Sequence, residues 1–190
     1  MKKIVLLFFF LILSMSLASA NEELSKQAVA FYSDNNYNKT LDLLLRIDET
    51  KRTPQDWLLL GNILFEKGER DNAIYMYQKA IAVDKKYYKA YYNLANIFLE
   101  NGNYLIAVEH YKKAVSLNKE NPYLHYNLAC AYLKMGDVKR AKSSLIKAIT
   151  IKNNVAEFHY NLAYVYKSLG RTDLAQTYLN NYNKLSENNI

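Results

Sequence analysis

Three tyrosine–asparagine dyads, Tyr92-Asn93, Tyr126-Asn127 and Tyr160-Asn161, recur at a spacing of 34 residues. A side-chain amide donates to a carbonyl and accepts from an N–H at once, which suits the backbone of an extended peptide. Tyrosine adds an apolar body with a polar tip. Such a row can hold a peptide, but it carries no chemistry to transform one. Few other residues have reactive potential. His125 and His159 share the 34-residue spacing, but they stand in a column with Trp57 and Tyr91, which packs between helices, and no third ligand type lies near in sequence. No metal or cofactor site is expected from them, and His110 stands alone. Cys130 is the single cysteine, which excludes an intramolecular disulfide. In an alanine-like position it reads as a small buried hydrophobe. A Gly-rich phosphate loop, a nucleophile in a suitable context and clustered carboxylates are all missing, so no catalytic residues are assigned and no enzyme is expected.

The dyads are positioned by a repeat. Residues 88–121 overlay 122–155 and 156–189 when slid forward and 54–87 when slid back, in one register without insertion. Self-similarity at such a period marks stacked supersecondary units. Within each copy, apolar residues recur at helical spacing in two halves, for example Tyr91, Leu94, Ala95, Phe98 and Leu99, then Ala107, Val108, Tyr111, Ala114 and Val115. Between the halves stand Gly68, Gly102, Gly136 and Gly170, placed to end the first helix. Three columns stay small: Gly61, Ala95, Ala129 and Ala163; Ala73, Ala107, Ala141 and Ala175; Ala80, Ala114 and Ala148, the last giving way to Tyr182. Small side chains at a helix crossing permit the closest approach.

These residues resemble the tetratricopeptide repeat. Trp57, Leu60-Gly61, Leu64, Ala73 and Tyr77 follow the pattern W-x2-L-G-x2-Y, then A-x3-F, with leucine for tyrosine and tyrosine for phenylalanine. The closing proline of the pattern is replaced by Lys85, Lys119 and Asn153, while Pro54 and Pro122 open two copies. Proline suits a first helical turn. The resemblance implies an all-α chain, a right-handed α-solenoid of stacked antiparallel helix pairs. It also implies a peptide-binding concave groove along the first helices, with Asn62, Tyr92, Asn93, Asn96, Tyr126, Asn127, Tyr160 and Asn161 as its site residues. Leu99, Glu100, Leu133 and Lys134 fall along the same groove. Leu58 and Tyr123 stand where a carboxylate clamp of the family would need lysines.

The flanks complete the reading. Lys2 and Lys3, an apolar run over residues 4–13 and Ala18-Ser19-Ala20 form a secretory signal with an A-x-A site, so residues 1–20 are expected to be removed and the mature chain to start at Asn21. Residues 21–53 make a degenerate helix pair, with Leu24, Ala28, Phe31, Tyr37, Leu41, Leu44 and Ile47 at helical spacing, Asp34-Asn35-Asn36 as its turn and Thr40 in a small column. Repeats follow at 54–87, 88–121, 122–155 and 156–189, the last serving as a C-terminal cap with Gln176, Asn180, Asn181, Asn183 and Lys184 outward; no second domain is expected. The 25 basic and 18 acidic side chains give +7, but the lysines are spread and paired along helix faces, as Glu109 with Lys113. Nucleic acid is therefore not an expected partner. The expected function is a non-enzymatic protein–protein interaction module, exported to the periplasm or beyond, that meets the membrane only through its signal during export. The alternative is a scaffold that self-associates through its uncapped C-terminal helix, by way of Leu179 and Tyr182.

Overall fold

The computed structural model describes residues 2–187, with side chains from residue 18 onward. Ten α-helices follow one another: α1 (Lys2–Ser33), α2 (Tyr37–Arg46), α3 (Pro54–Glu66), α4 (Arg70–Val83), α5 (Tyr88–Glu100), α6 (Tyr104–Leu117), α7 (Pro122–Lys134), α8 (Val138–Ile151), α9 (Ala156–Ser168) and α10 (Thr172–Glu187). A 3-10 turn, Glu49–Lys51, joins α2 to α3, and no strand occurs among the described residues. The helices pack as consecutive pairs, α1 with α2 through α9 with α10, in the α-solenoid class expected from the repeat. The chain divides into two compact units between Lys85 and Lys86. The boundary falls in the charged turn that links α4 to α5.

Each pair turns on one backbone device. At Gly136 φ is 77°, a left-handed conformation in which any Cβ is strained. That conformation lets the Asp137 N–H donate to the Tyr132 carbonyl at 2.9 Å and the Gly136 N–H to the Leu133 carbonyl at 3.0 Å, closing the end of α7. The other expected turn glycines take φ of 70° to 79°. Asn35, the asparagine in the expected turn of residues 34–36, takes φ 57° in the same role.

The starts of α3, α7 and α8 are fixed by side chains. Thr53 and Asp56 form a reciprocal capping box at α3, with Pro54 in the first turn. The Asp56 carboxylate is fully buried, and its Oδ2 also accepts from the Ser25 hydroxyl at 2.9 Å, which ties α1 to the start of α3. Asn121 accepts from the Tyr123 N–H ahead of Pro122, and Asp137 from the Arg140 N–H at the start of α8.

The small columns lie in the cores. Ala73, Ala80, Ala95, Ala107, Ala114, Ala129, Ala141 and Ala148 are completely buried, with Tyr77, Tyr111 and Leu145 as their large neighbours. Thr40 is buried as well, its hydroxyl donating to the Asn36 carbonyl at 3.0 Å. The last pair departs from this pattern: Ala175 and Tyr182 are half-buried and α10 has no fully buried residue. The residues expected to face outward on α10, Gln176, Asn180, Asn181, Asn183 and Lys184, are exposed. Helix α1 runs through the expected cleavage site, with Ala18 and Ala20 exposed, while the apolar run over residues 4–13 lies outside the described side chains. No helix among the described residues is long and apolar enough to cross a membrane.

Gly61 is more than a member of a small column. A Cβ there would lie 2.4 Å from the ring of Tyr77, which is buried and anchored through its hydroxyl to Asn62. Gly61→Ala should therefore destabilise the protein by about 1–3 kcal/mol, against the roughly 1 kcal/mol that alanine gains over glycine inside a helix. Urea denaturation measures the balance, and a gain in stability would show that the Tyr77 ring yields freely.

Candidate interaction face

The three dyads belong to the second unit, on α5, α7 and α9. Helical phase brings Asn127 and Asn161 toward the tyrosine of the preceding pair. The Asn161 amide donates to the Tyr126 hydroxyl at 3.1 Å, and the Asn127 amide reaches the Tyr92 hydroxyl at 3.4 Å. Asn127 also donates to the Tyr123 carbonyl at 2.8 Å, and Asn161 lies 3.6 Å from the Cys130 sulfur. The dyads therefore interlock successive pairs, and the amide NH2 groups are largely spent on that task. What remains for a ligand at Asn127 and Asn161 is the carbonyl oxygen, an acceptor.

Two other expected site residues have a different occupation. The Asn96 carbonyl accepts the hydroxyl of buried Tyr111 at 2.5 Å, and in the first unit the Asn62 carbonyl accepts that of Tyr77 at 2.9 Å. Both bonds join the two helices of one pair. A buried tyrosine hydroxyl needs a partner, and the carbonyls of Asn62 and Asn96 supply it. A signal for this was present in the columns. Where the tyrosine gives way to Leu145 and Leu179, the asparagine gives way to Cys130 and Tyr164.

The aromatic surroundings are uneven. Tyr126 stacks on Phe158 at 4.9 Å between centroids, and Tyr123 meets the same ring edge-on at 5.6 Å. Tyr160 is 52% exposed and Tyr164 58%, and Tyr123 is 46% exposed. Burial pushes the Tyr126 hydroxyl up to about 12, with Cys130 beside it adding to the effect. Burial raises Tyr111 further and raises the Cys130 thiol. Cys130 is thus a half-buried thiol held protonated, with the Asn161 amide against it rather than a purely apolar shell.

The histidines are structural. His125 Nε2 donates to the Lys119 carbonyl at 2.8 Å and His159 Nε2 to the Asn153 carbonyl at 2.7 Å. Those carbonyls sit at the positions that close the family pattern, so each histidine pins the turn ahead of its own helix. No group of three potential ligands occurs among the described residues. His110 stacks on Phe98 at 5.5 Å, and burial lowers its pKa.

The model of the tetratricopeptide repeat protein 21 C-terminal ARM domain matches residues 33–169, and that of the tetratricopeptide repeat matches 156–189. The chain belongs to the tetratricopeptide repeat family. Solved structures with a similar fold include MamA of MSR-1, 20% identical, with a TM-score of 0.72 over 90% of this chain and 98% of that one. MamA from Desulfovibrio magneticus RS-1, residues 41 to the end, is 16% identical with a TM-score of 0.76 over 90% and 96%. A further MamA crystal structure, 20% identical, gives 0.75 over 85% and 95%. At these identities the likeness is one of fold. No curated protein sequence matches the chain. Membership of this repeat family makes the tetratricopeptide chain a protein-interaction or scaffold module, and nothing in its geometry shows catalysis.

The interlock has measurable consequences. In a double-mutant cycle, Tyr126→Phe and Asn161→Ala should couple by about 0.5–1.5 kcal/mol. The unfolded chain gives up the Tyr126 proton near 10.0, while the folded protein keeps it to about 12. Stability from this group is complete below the lower value and is lost as pH rises through the window. Alkaline urea titrations should therefore show a shallower decline for Tyr126→Phe, and identical slopes would rule out the contribution.

Proposed function

We propose that this protein is a non-enzymatic adaptor of the cell envelope that holds a peptide segment or helix of a partner against the first-helix face of its second unit. The observation that carries the reading is the row of half-exposed tyrosines, Tyr123, Tyr160 and Tyr164, beside the fixed carbonyls of Asn127 and Asn161. Aromatic side chains of this kind are enriched at the energetic centres of interfaces. The carbonyls accept backbone N–H groups of the ligand, while the amide NH2 groups stay with Tyr92 and Tyr126. Tyr92, Asn93 and Asn96 extend the face along α5.

Export is part of the same proposal. Lys2-Lys3, the apolar run and Ala18-Ser19-Ala20 support a cleaved signal, and the intact mass of the exported form should correspond to a chain starting at Asn21. A mass retaining the first 20 residues would overturn this.

Recognition is tested by replacing Asn93, Asn127 and Asn161 together with alanine. Capture of the partner from envelope extracts should be lost while far-ultraviolet circular dichroism stays helical. Tyr126→Phe serves as the control, because it removes an inter-pair hydrogen bond and leaves the acceptor row in place, so capture should survive. Undiminished capture by the triple variant moves the binding surface elsewhere.

A further inference from the structure

The first unit holds an open pocket of about 310 Å³ between α2, α3 and α4, floored by Leu41, Trp57, Leu60, Leu64 and Met76. Helix α2 stops early beside it. Helices α4, α6 and α8 have 14 residues each, whereas α2 has 10, and the 3-10 turn Glu49–Lys51 follows in place of a last helical turn. The other pairs cover the corresponding rings from within. His110, in the register of Met76, lies 5.5 Å from the Phe98 ring and 6.2 Å from that of Tyr91. Tyr178, in the same register, lies 5.5 Å from Tyr166 and 5.9 Å from His159. In α7 and α8 the register holds Ser144, and the Arg140 guanidinium covers Tyr132 at 4.8 Å. In α3 and α4 the residues are Leu64 and Met76, and Asn72, in the register of Arg140, donates to Glu69 at 2.8 Å instead. The pocket is therefore one ring short of the stacks built elsewhere in the chain.

The mouth of the pocket is cationic on balance. Arg52 lies over the Trp57 ring at 4.9 Å, and its Nε donates to the Leu44 carbonyl at 3.2 Å, which holds the charge in place. Lys79 lies 5.7 Å from the Trp57 ring and 5.2 Å from that of Tyr75, and it pairs with Glu49 at 2.9 Å. Two cations thus stand against one carboxylate, and a second carboxylate is the complement. The floor sets the rest of the ligand: Leu41, Leu60, Leu64 and Met76 give a hydroxyl no good partner, which favours phenylalanine over tyrosine. At the rim Leu45 is 66% exposed and Tyr75 52%, so the mouth is too open to enclose a free small molecule over most of its surface, as small-molecule sites do. A peptide supplies that cover through the backbone on either side of the inserted residue. We propose that this pocket takes a phenylalanine side chain of an acidic partner peptide, with the ring beside Leu64 and Met76 and a neighbouring carboxylate at Arg52 and Lys79. The site belongs to the first unit and does not rest on the second-unit face proposed above.

Trp57 is the single tryptophan of the chain and lines the pocket, so its fluorescence, excited beyond the tyrosine band, reports on this site. The probe is the peptide Gly-Asp-Phe-Asp-Gly, acetylated and amidated, titrated into the full chain. Emission should change saturably in the millimolar range or below. Replacing the peptide's phenylalanine with alanine should remove the change, and replacing both its aspartates with asparagine should weaken binding at least threefold. In the protein, Met76→Tyr supplies the ring from within and should weaken binding at least tenfold. Leu45→Glu, which puts a carboxylate at an exposed position of the mouth, should do the same and guards against a folding defect in the first variant. Replacing Asn93, Asn127 and Asn161 with alanine should leave the titration unchanged, which separates a failure here from a failure of the second-unit reading. Absence of saturation, or binding indifferent to both pocket variants, overturns the proposal. So does phenylacetate binding as tightly as the peptide, which would assign the pocket to a small molecule.

Discussion

The hydrogen bond from the Asn161 amide to the Tyr126 hydroxyl, 3.1 Å long, fixes one helix pair to the next in the second unit. A pair of short helices cannot bury its own apolar faces, so its stability comes from its neighbours. Apolar contact between Leu128, Leu162 and Val165 supplies most of that attraction, but apolar contact has no direction. The Asn–Tyr bond has direction, and with Asn127 on Tyr92 it sets the register at which the alanine columns meet. Only at that register do Ala129 and Ala141 lie in the core together with the rings of Tyr111 and Tyr132. The same bond determines what the face can offer a ligand, since an amide that donates to its neighbour is left with its oxygen.

Much of this architecture was legible in the residues, for a physical reason. A strict period without insertion forces equivalent positions into equivalent environments, so the starts of α3, α5, α7 and α9 at Pro54, Tyr88, Pro122 and Ala156 follow from one another. The turns were legible because few residues accept a left-handed backbone, and Asn35 was as readable as the glycines. Side-chain partners were less accessible. Asn62 and Tyr77 are 15 residues apart on opposite helices, a spacing with no helical periodicity to betray it. Gly61 looked interchangeable with Ala95 because a column records size and not the tilt of the ring beside it. The division between Lys85 and Lys86 left no mark either, since the register passes through it unchanged.

Histidine in the tryptophan column shows one function met by different means. The family pattern closes with a proline that stiffens the turn after the second helix. Here Lys119 and Asn153 stand in its place, and their carbonyls are held by His125 and His159 from the following helix. Nε2 carries the proton given to the carbonyl, and at His159 the other ring nitrogen, Nδ1, is buried without a partner. An unsatisfied buried ring nitrogen costs stability, which counts against the turn that His159 secures. The two histidines that looked most like chemistry in the sequence are thus explained by the backbone they restrain.

The same logic separates the groups that hold the structure from those left for recognition. Tyr111, Tyr126 and Cys130 all have their proton loss pushed upward by burial, so near neutral pH they are uncharged and serve as hydrogen-bonding and packing groups. Charge lies toward the ends of the first helices, at Glu100, Lys134 and Lys167, which are exposed. In the proposed function, a neutral aromatic face with fixed acceptors selects a ligand by shape and by the placing of its N–H groups. Electrostatic attraction at the rim then acts on encounter more than on fit.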